Sequence, residues 1–261
     1  MPLTRQYLRY SPSGTFNIIS SSECNGTWVT LKNQEGRYIA TGAAENISVW
    51  DMNLVEKAMV LPGERTTVTH LCSSPINKNL AAGFSDGTVK TFDLVAGEVM
   101  TVFSGHKAPV SCLAFDANGH RLASGSKDTH IIVWDVVAES GITRLCGHTG
   151  PVTSLSFMTE HNMLISSSKD TSIKFWDLDT NYCFKTLLGH RTEVWGFVLM
   201  RNEEFLVAGS GDSELRVWAL SYKEVNVDKE NIDSINQLDE DKEEIADKLV
   251  SCSVNFCLKI F

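Results

Sequence analysis

Five aromatic residues stand 42 positions apart along this chain: Trp50, Phe92, Trp134, Trp176 and Trp218. Around them "VWD" (49–51), "TFD" (91–93), "VWD" (133–135), "FWD" (175–177) and "VWA" (217–219) keep the same step. Gly-His dipeptides at 105–106, 147–148 and 189–190 keep it too. A fixed period constrains the fold more than composition does, because each period must be one supersecondary unit that buries its apolar faces against its neighbours. The third period holds the runs "VSCLAF" (110–115), "RLASGS" (121–126), "HIIVWDV" (130–136) and "ITRLC" (142–146), separated by the turn stretches "DANGH", "KDT" and "AESG". Apolar and β-branched runs punctuated by Gly, Asn and Asp are strands. Four short strands per period make one blade of a β-propeller. The expected fold class is therefore all-β, a propeller with about five blades visible over residues 27–221 and an incomplete ring.

Composition narrows the function classes. The chain has 261 residues and 43% hydrophobic content, enough for a sizeable core, and no apolar run near the ~18 residues of a membrane span. The start, "MPLTRQYLRYSPSG", has no continuous apolar stretch, so no secretory signal is expected. That demotes the glycosylation-like triplets "NGT" (25–27) and "NIS" (46–48). The seven cysteines show no CxxC pair or zinc-finger spacing and are expected to be reduced core thiols of the cytosol or nucleus. The net charge of −9 argues against polyanion binding over the whole surface, but 10 acidic and 5 basic residues lie from Tyr222 onward, leaving the rest closer to neutral.

The period, the Gly-His dipeptides and the Trp-Asp pairs resemble the WD-repeat family over roughly residues 16–220. In that family the Gly-His histidine, a strand-b Ser or Thr, the Asp of the b–c turn and the strand-c Trp form a buried hydrogen-bonded set. Carried over, this implies His106, Asp128 and Trp134 in the third blade, with Ser124 or Ser126 as the hydroxyl. It implies His148, Asp170 and Trp176 in the fourth blade, and His190, Asp212 and Trp218 in the fifth. His148 is then a structural latch, one copy of a repeated feature, and not a catalyst. The early blades depart from the pattern: Glu64 and Phe92 stand at the His and Trp positions of blade two, Ser22 and Ala44 at the His and Asp positions of blade one. Ala219 replaces the last Trp-Asp aspartate.

Running the period backwards places "TWVTL" (27–31) on strand a of blade one, so "FNIIS" (16–20) falls on a strand d with no blade before it. In closed propellers of the family such a strand, here within an N-terminal segment 1–26, seals the ring. The period stops after Leu220. Residues 222–248 are expected to be an acidic linker in which "SINQ" (234–237) resembles a helix-capping box. Residues 249–261 form an apolar end suited to one strand. Because seven blades are usual in the family, the chain is expected to be a fragment or truncated product whose open edge exposes strand groups and an apolar blade face.

No motif here carries catalysis. "GFSDG" (83–87) matches a nucleophile elbow, but it aligns with "GSKDT", "SSKDT" and "GSGDS" of later periods, which are strand-to-strand turns, whereas the elbow needs a helix after the turn. No phosphate-binding loop is present. His70, His120, His130 and His161 have no ligand-like spacing, so no metal or cofactor, small-molecule substrate or membrane is expected. A propeller offers a rim instead. Arg65, Lys107 and Arg191 follow the Gly-His position, and Lys127 and Lys169 precede the turn Asp. That rim either receives an acidic peptide or RNA phosphates, or is a solvated face with local salt bridges. Trp195 stands where earlier periods have Thr69, Ser111 and Thr153, so the repeat does not need an aromatic there; it is a candidate contact anchor.

Within the WD-repeat class, "CFKTLLGHRTEVWGFVL" (183–199), "DSELRVWAL" (212–220), "GSKDTHIIVWDV" (125–136) and "LTRQYLRY" (3–10) resemble the N-terminal propeller of the WD repeat-containing protein 3 family. That resemblance implies a nucleolar, non-catalytic scaffold of the small-subunit processome. Its partners would be other processome proteins and precursor ribosomal RNA, touched directly or through those proteins. The competing class is a substrate receptor of a cullin-type ubiquitin ligase or a signalling adaptor. Such receptors often carry W-D-x-R, whereas this chain reads "WDMN", "WDVV" and "WDLD".

Overall fold

The computed structural model describes residues 21–31, 34–54, 56–63, 65–76, 79–159, 162–200, 203–220 and 253–254. The "FNIIS" and "SINQ" stretches and Glu64 lie outside them. The described strands form five four-stranded antiparallel sheets, each ordered a-b-c-d. Blade one is β1 (Gly26–Leu31), β2 (Gln34–Ala43), β3 (Asn46–Asp51) and β4 (Glu56–Leu61). Blade two is β5 (Val68–Ser73), β6 (Asn79–Phe84), β7 (Val89–Asp93) and β8 (Glu98–Phe103). Blade three is β9 (Val110–Phe115), β10 (Arg121–Ser126), β11 (Ile131–Asp135) and β12 (Ser140–Leu145). Blade four is β13 (Val152–Phe157), β14 (Met163–Ser168), β15 (Ser172–Asp177) and β16 (Tyr182–Leu188). Blade five is β17 (Val194–Met200), β18 (Phe205–Ser210), β19 (Leu215–Ala219) and β20 (Ser253–Val254). Successive a strands pack side by side, and the ring stays open between the last sheet and the first among the described residues.

The burial pattern follows from that stacking. The b strands are buried along nearly their whole length in blades two to four, because each is sandwiched between blades. Their small residues permit the approach. A Cβ on Gly125 would sit 2.6 Å from the Cys112 sulfur and 2.7 Å from Val152 of the next blade. The outer d strands of blades one to three are mostly exposed, as in β12, where Leu145 is buried and Ser140 to Ile142 are exposed.

Two devices repeat with the blades. Each a strand of blades two to five carries a register shift near its start, at Val68/His70 in β5 and Val152/Ser154 in β13, for example. A bulge re-aims the extra side chain. Here it turns a hydroxyl toward the next blade: Thr69 Oγ1 donates to the Val110 carbonyl at 2.6 Å, Ser111 to Val152, and Thr153 Oγ1 to Val194 at 2.8 Å. Between blades one and two, Asn25 makes the equivalent join with both ends of its amide, accepting from Leu71 N at 2.7 Å and donating to Leu71 O at 2.9 Å.

The second device is the Trp-Asp aspartate. Asp51, Asp93, Asp135 and Asp177 each accept the backbone N–H two residues on, at 2.7–3.0 Å, which folds the tight c–d turn. Blade five has Ala219 there. An alanine side chain cannot accept that N–H; the ladder partner of β19 is β20, through Val217↔Val254 and Trp218↔Ser253.

Among the described residues blade five also ends the apolar stack. Val198 and Met200 on β17 are exposed, and Met200, Phe205, Val207 and Val217 line an apolar hollow of about 240 Å³.

Candidate functional site

The polar centre of blades three and four is a four-membered relay. In blade three the Trp134 indole N–H donates to Ser124 Oγ at 2.8 Å, Ser124 Oγ lies 2.8 Å from His106 Nε2, and His106 Nδ1 lies 3.0 Å from Asp128. Blade four repeats it with Trp176, Ser166, His148 and Asp170 at 2.7, 2.7 and 2.8 Å. The local sequence dictates these positions. The Gly-His turn drops the imidazole inward from the d–a loop, and the Asp sits on the b–c turn just before Thr129 or Thr171 at positive φ. The serine is the b-strand residue opposite Ile132 or Lys174 of strand c. It is Ser124 and not Ser126 that joins the set; Ser126 Oγ donates to the Ala108 and Pro109 carbonyls.

A neutral imidazole satisfies every group in this relay. The indole can only donate, so the serine hydroxyl hands its proton to Nε2 while Nδ1–H points at the carboxylate. Burial pushes both imidazoles below the ordinary histidine range, outweighing the opposing pull of Asp128 and Asp170. For Asp170 burial raises the carboxyl, but hydrogen bonds from Ser172, the Thr149 N–H and His148 outweigh it and hold it at about 2. With every donor and acceptor engaged inside the blade, the set holds the d–a loop against the b–c turn and presents nothing to a substrate.

Blade five links the corresponding histidine and aspartate by another route and leaves the tryptophan out of the hydrogen-bonded chain. Ala208 takes the place of Ser124 and Ser166, so His190 Nε2 has no hydrogen-bond partner among the described residues. The imidazole turns its Nδ1 to Ser210 Oγ at 2.9 Å, and Ser210 in turn donates to Asp212. The Trp218 ring stacks edge-on to His190 with centroids 5.2 Å apart. In blades one and two, Ala44 occupies a left-handed turn position and Asp86 serves its own turn through Thr88.

The rim above these latches is less cationic than its sequence suggests. Lys127 lies 4.0 Å from Glu23, the residue after the His position of blade one, and Lys169 lies 3.2 Å from Glu193. Lys107, Arg191 and Arg65 are exposed, Lys107 giving its backbone N–H to Asp128. Trp195 is 58% exposed, and Lys169 Nζ sits over its ring at 4.3 Å. It occupies the bulge position where Thr69, Ser111 and Thr153 reach the following blade, so the hydroxyl ladder stops at this indole.

Other residues singled out in the sequence are structural. Ser85 lies in a strand-to-strand turn, its N–H bonded to the Thr67 carbonyl. Both ends of the Asn25 amide are engaged, so "NGT" offers no free acceptor. Cys72 and Cys112 are free thiols pushed up by burial to about 11 and about 12, outside the range of reactive thiolates. Among the described residues no group of three His, Cys, Asp or Glu is placed to hold a metal ion.

Comparison with known proteins places this geometry. A chain in the crystal structure of the mitotic checkpoint complex superposes with a TM-score of 0.70 at 24% identity. The match covers 84% of this chain and 70% of that one, and it shows the shared fold. WD repeat-containing protein 3 of Homo sapiens is 50% identical over 95 residues, which are 36% of this chain and 10% of that protein. The Mus musculus protein is 45% identical over 94 residues, with the same shares. The Dictyostelium discoideum homolog is 34% identical over 94 residues, 35% of this chain and 9% of the homolog. The match thus spans about a tenth of the length of these curated relatives. The family model described as "WDR3 first beta-propeller domain" matches residues 37–220, which cover β3 to β19 and all the latches described above. The chain belongs to the WDR3 first β-propeller family.

Proposed function

We propose that this chain serves a non-catalytic scaffold of the small-subunit processome, acting in the nucleus and nucleolus during precursor ribosomal RNA processing and small-subunit biogenesis. The observation that carries this reading is the family match over residues 37–220, together with relatives named WD repeat-containing protein 3. The geometry supports docking over chemistry, since the buried His, Asp, Ser and Trp groups of blades three and four satisfy one another.

On the rim, Arg65, Lys107 and Arg191 offer exposed cations, and Trp195, with Lys169 over its ring, is a candidate aromatic anchor. Glu23 and Glu193 neutralise Lys127 and Lys169, which favours an acidic stretch of a processome protein over a long run of RNA phosphates. Precursor RNA is then reached mainly through those proteins. Trp195→Ser removes the anchor at an exposed position, so partner recovery should fall with little change in melting temperature. A collapse of the melting temperature would make Trp195 a core residue.

Affinity purification of the tagged chain from nuclear extract, followed by protein mass spectrometry, tests the assignment. Enrichment of processome proteins is expected. Enrichment of cullin-type ubiquitin ligase subunits in their place would overturn the reading and favour the adaptor class.

A further inference from the structure

The end of each blade opposite the rim is built from the a–b and c–d turns, and between blades one and two it holds a cavity of about 110 Å³. Trp28 of β1, Glu35 of β2 and Ile76 beyond β5 stand around it, with Ser73, Ser74 and Leu94 among its lining. Trp28 is 54% and Ile76 65% exposed, and Glu35 is exposed with no ion pair among the described residues. An exposed indole and an exposed carboxylate with no ion pair among the described residues thus line one cavity. These two groups attract the same thing. The ring face draws a cation through its quadrupole, and the carboxylate draws it through charge and a forked hydrogen bond. The chain already makes this combination at the rim, where Lys169 lies over Trp195 and beside Glu193.

The surrounding charge favours the same ligand. The described turns at this end carry Asp93, Glu139, Asp179, Glu203 and Glu204, while Arg37 and Arg121 are held by Asp51 and Asp116. We infer that the cavity between blades one and two receives an arginine side chain from a basic segment of a protein partner, its guanidinium stacked on Trp28 and paired with Glu35. Arginine fits better than lysine because its plane can stack and its fork can pair with a carboxylate at once. The Ser73 hydroxyl, 3.5 Å from Thr27 Oγ1, keeps a lone pair that can accept one of its remaining N–H groups. This site lies at the opposite end from the rim, and it stands whether or not the processome assignment does.

The test uses the full chain and a fluorescein-labelled Gly-Ser peptide carrying three arginines, with binding read by fluorescence polarisation at low salt. The control peptide has glutamates in place of the arginines. Saturable binding of the arginine peptide is expected, weakened about three- to tenfold by Glu35→Gln and by Trp28→Ala. Glu139→Gln, at the same end on blade three, should leave it unchanged. Glu35→Gln is an exposed isosteric change and keeps the test valid if Trp28→Ala loses stability. Lys32 and Lys78, next to the cavity in sequence and outside the described residues, would favour the acidic peptide if they governed this surface. Equal or tighter binding of the acidic peptide, no binding of the arginine peptide, or equal losses from Glu35→Gln and Glu139→Gln would each overturn the inference.

Discussion

Replacing Ser166 with alanine puts a number on the latch. Ser166 Oγ lies 2.7 Å from both Trp176 Nε1 and His148 Nε2, and both rings are buried, Trp176 to 1% exposure. Alanine removes the oxygen and leaves a buried indole N–H and a buried imidazole nitrogen without their shared partner. Each unsatisfied buried group costs about 1–3 kcal/mol. Because the two nitrogens can relax together into the space vacated, we expect about 2–4 kcal/mol in all. For a chain of this size that is a fall of roughly 5–15 °C in melting temperature, measurable by circular dichroism with a urea titration alongside. The backbone tolerates the change, since blade five folds with Ala208 at the same register. The reverse substitution tests the logic from the other side: Ala208→Ser offers a hydroxyl to the orphaned His190 Nε2 and should raise stability by about 1 kcal/mol. A Ser166→Ala melting temperature within about 2 °C of the parent, with Ala208→Ser neutral or harmful, would refute the view that this relay holds the blades.

Thr153→Val deletes the hydroxyl that ties blade four to Val194 while keeping the side-chain shape. It should cost about 1 kcal/mol and speed amide hydrogen exchange in β17 and β18 while β9 and β10 stay protected; unchanged protection in blade five would contradict the clasp. Acid should destabilise the chain. Burial pushes His70 down to about 4 and also lowers His106 and His148. The unfolded chain therefore binds protons below about pH 6.5 that the folded chain refuses, and stability falls from there toward about pH 4. His70 alone contributes up to about 3 kcal/mol of that loss, and Asp170, held at about 2, adds its share only below the ordinary carboxylate range. A urea midpoint that stays flat between about pH 7 and about pH 4.5 would contradict this.

The c strands were the legible part of this fold, because each blade needs one aromatic at the same depth and one aspartate to cap the c–d turn. Those requirements leave a fixed 42-residue mark. Blade one kept the mark at Trp50 while its a–b hairpin ran longer: Trp28 pairs with Ile39, whereas Ser73 is opposite Leu80 in blade two. Hairpin length shows poorly in sequence when both flanks alternate. The broken relay of blade five was written in the succession Ser124, Ser166, Ala208, and the hydroxyl ladder in Thr69, Ser111, Thr153, Trp195. Reading either requires knowing which face each position takes, and the bulge in strand a shifts that face. The pairing of Lys127 with Glu23 had no signal, since the period aligns Glu23 with Arg65 and Lys107 but does not say which residue of another blade it meets. β20 lies within the apolar end 249–261 read as suited to one strand, but its two residues carry no landmark of the period that would have set them against β19. The cavity beside Trp28 lies between blades, and no single period could announce it.

The most direct test of the scaffold assignment is to immunoprecipitate the endogenous protein with an antibody to these blades and sequence the RNA that comes with it. The account predicts enrichment of small-subunit ribosomal precursor, carried by the processome proteins docked on the propeller. Absence of that precursor, under conditions where an established processome protein brings it down, would contradict the account and leave a WD-repeat scaffold of another assembly.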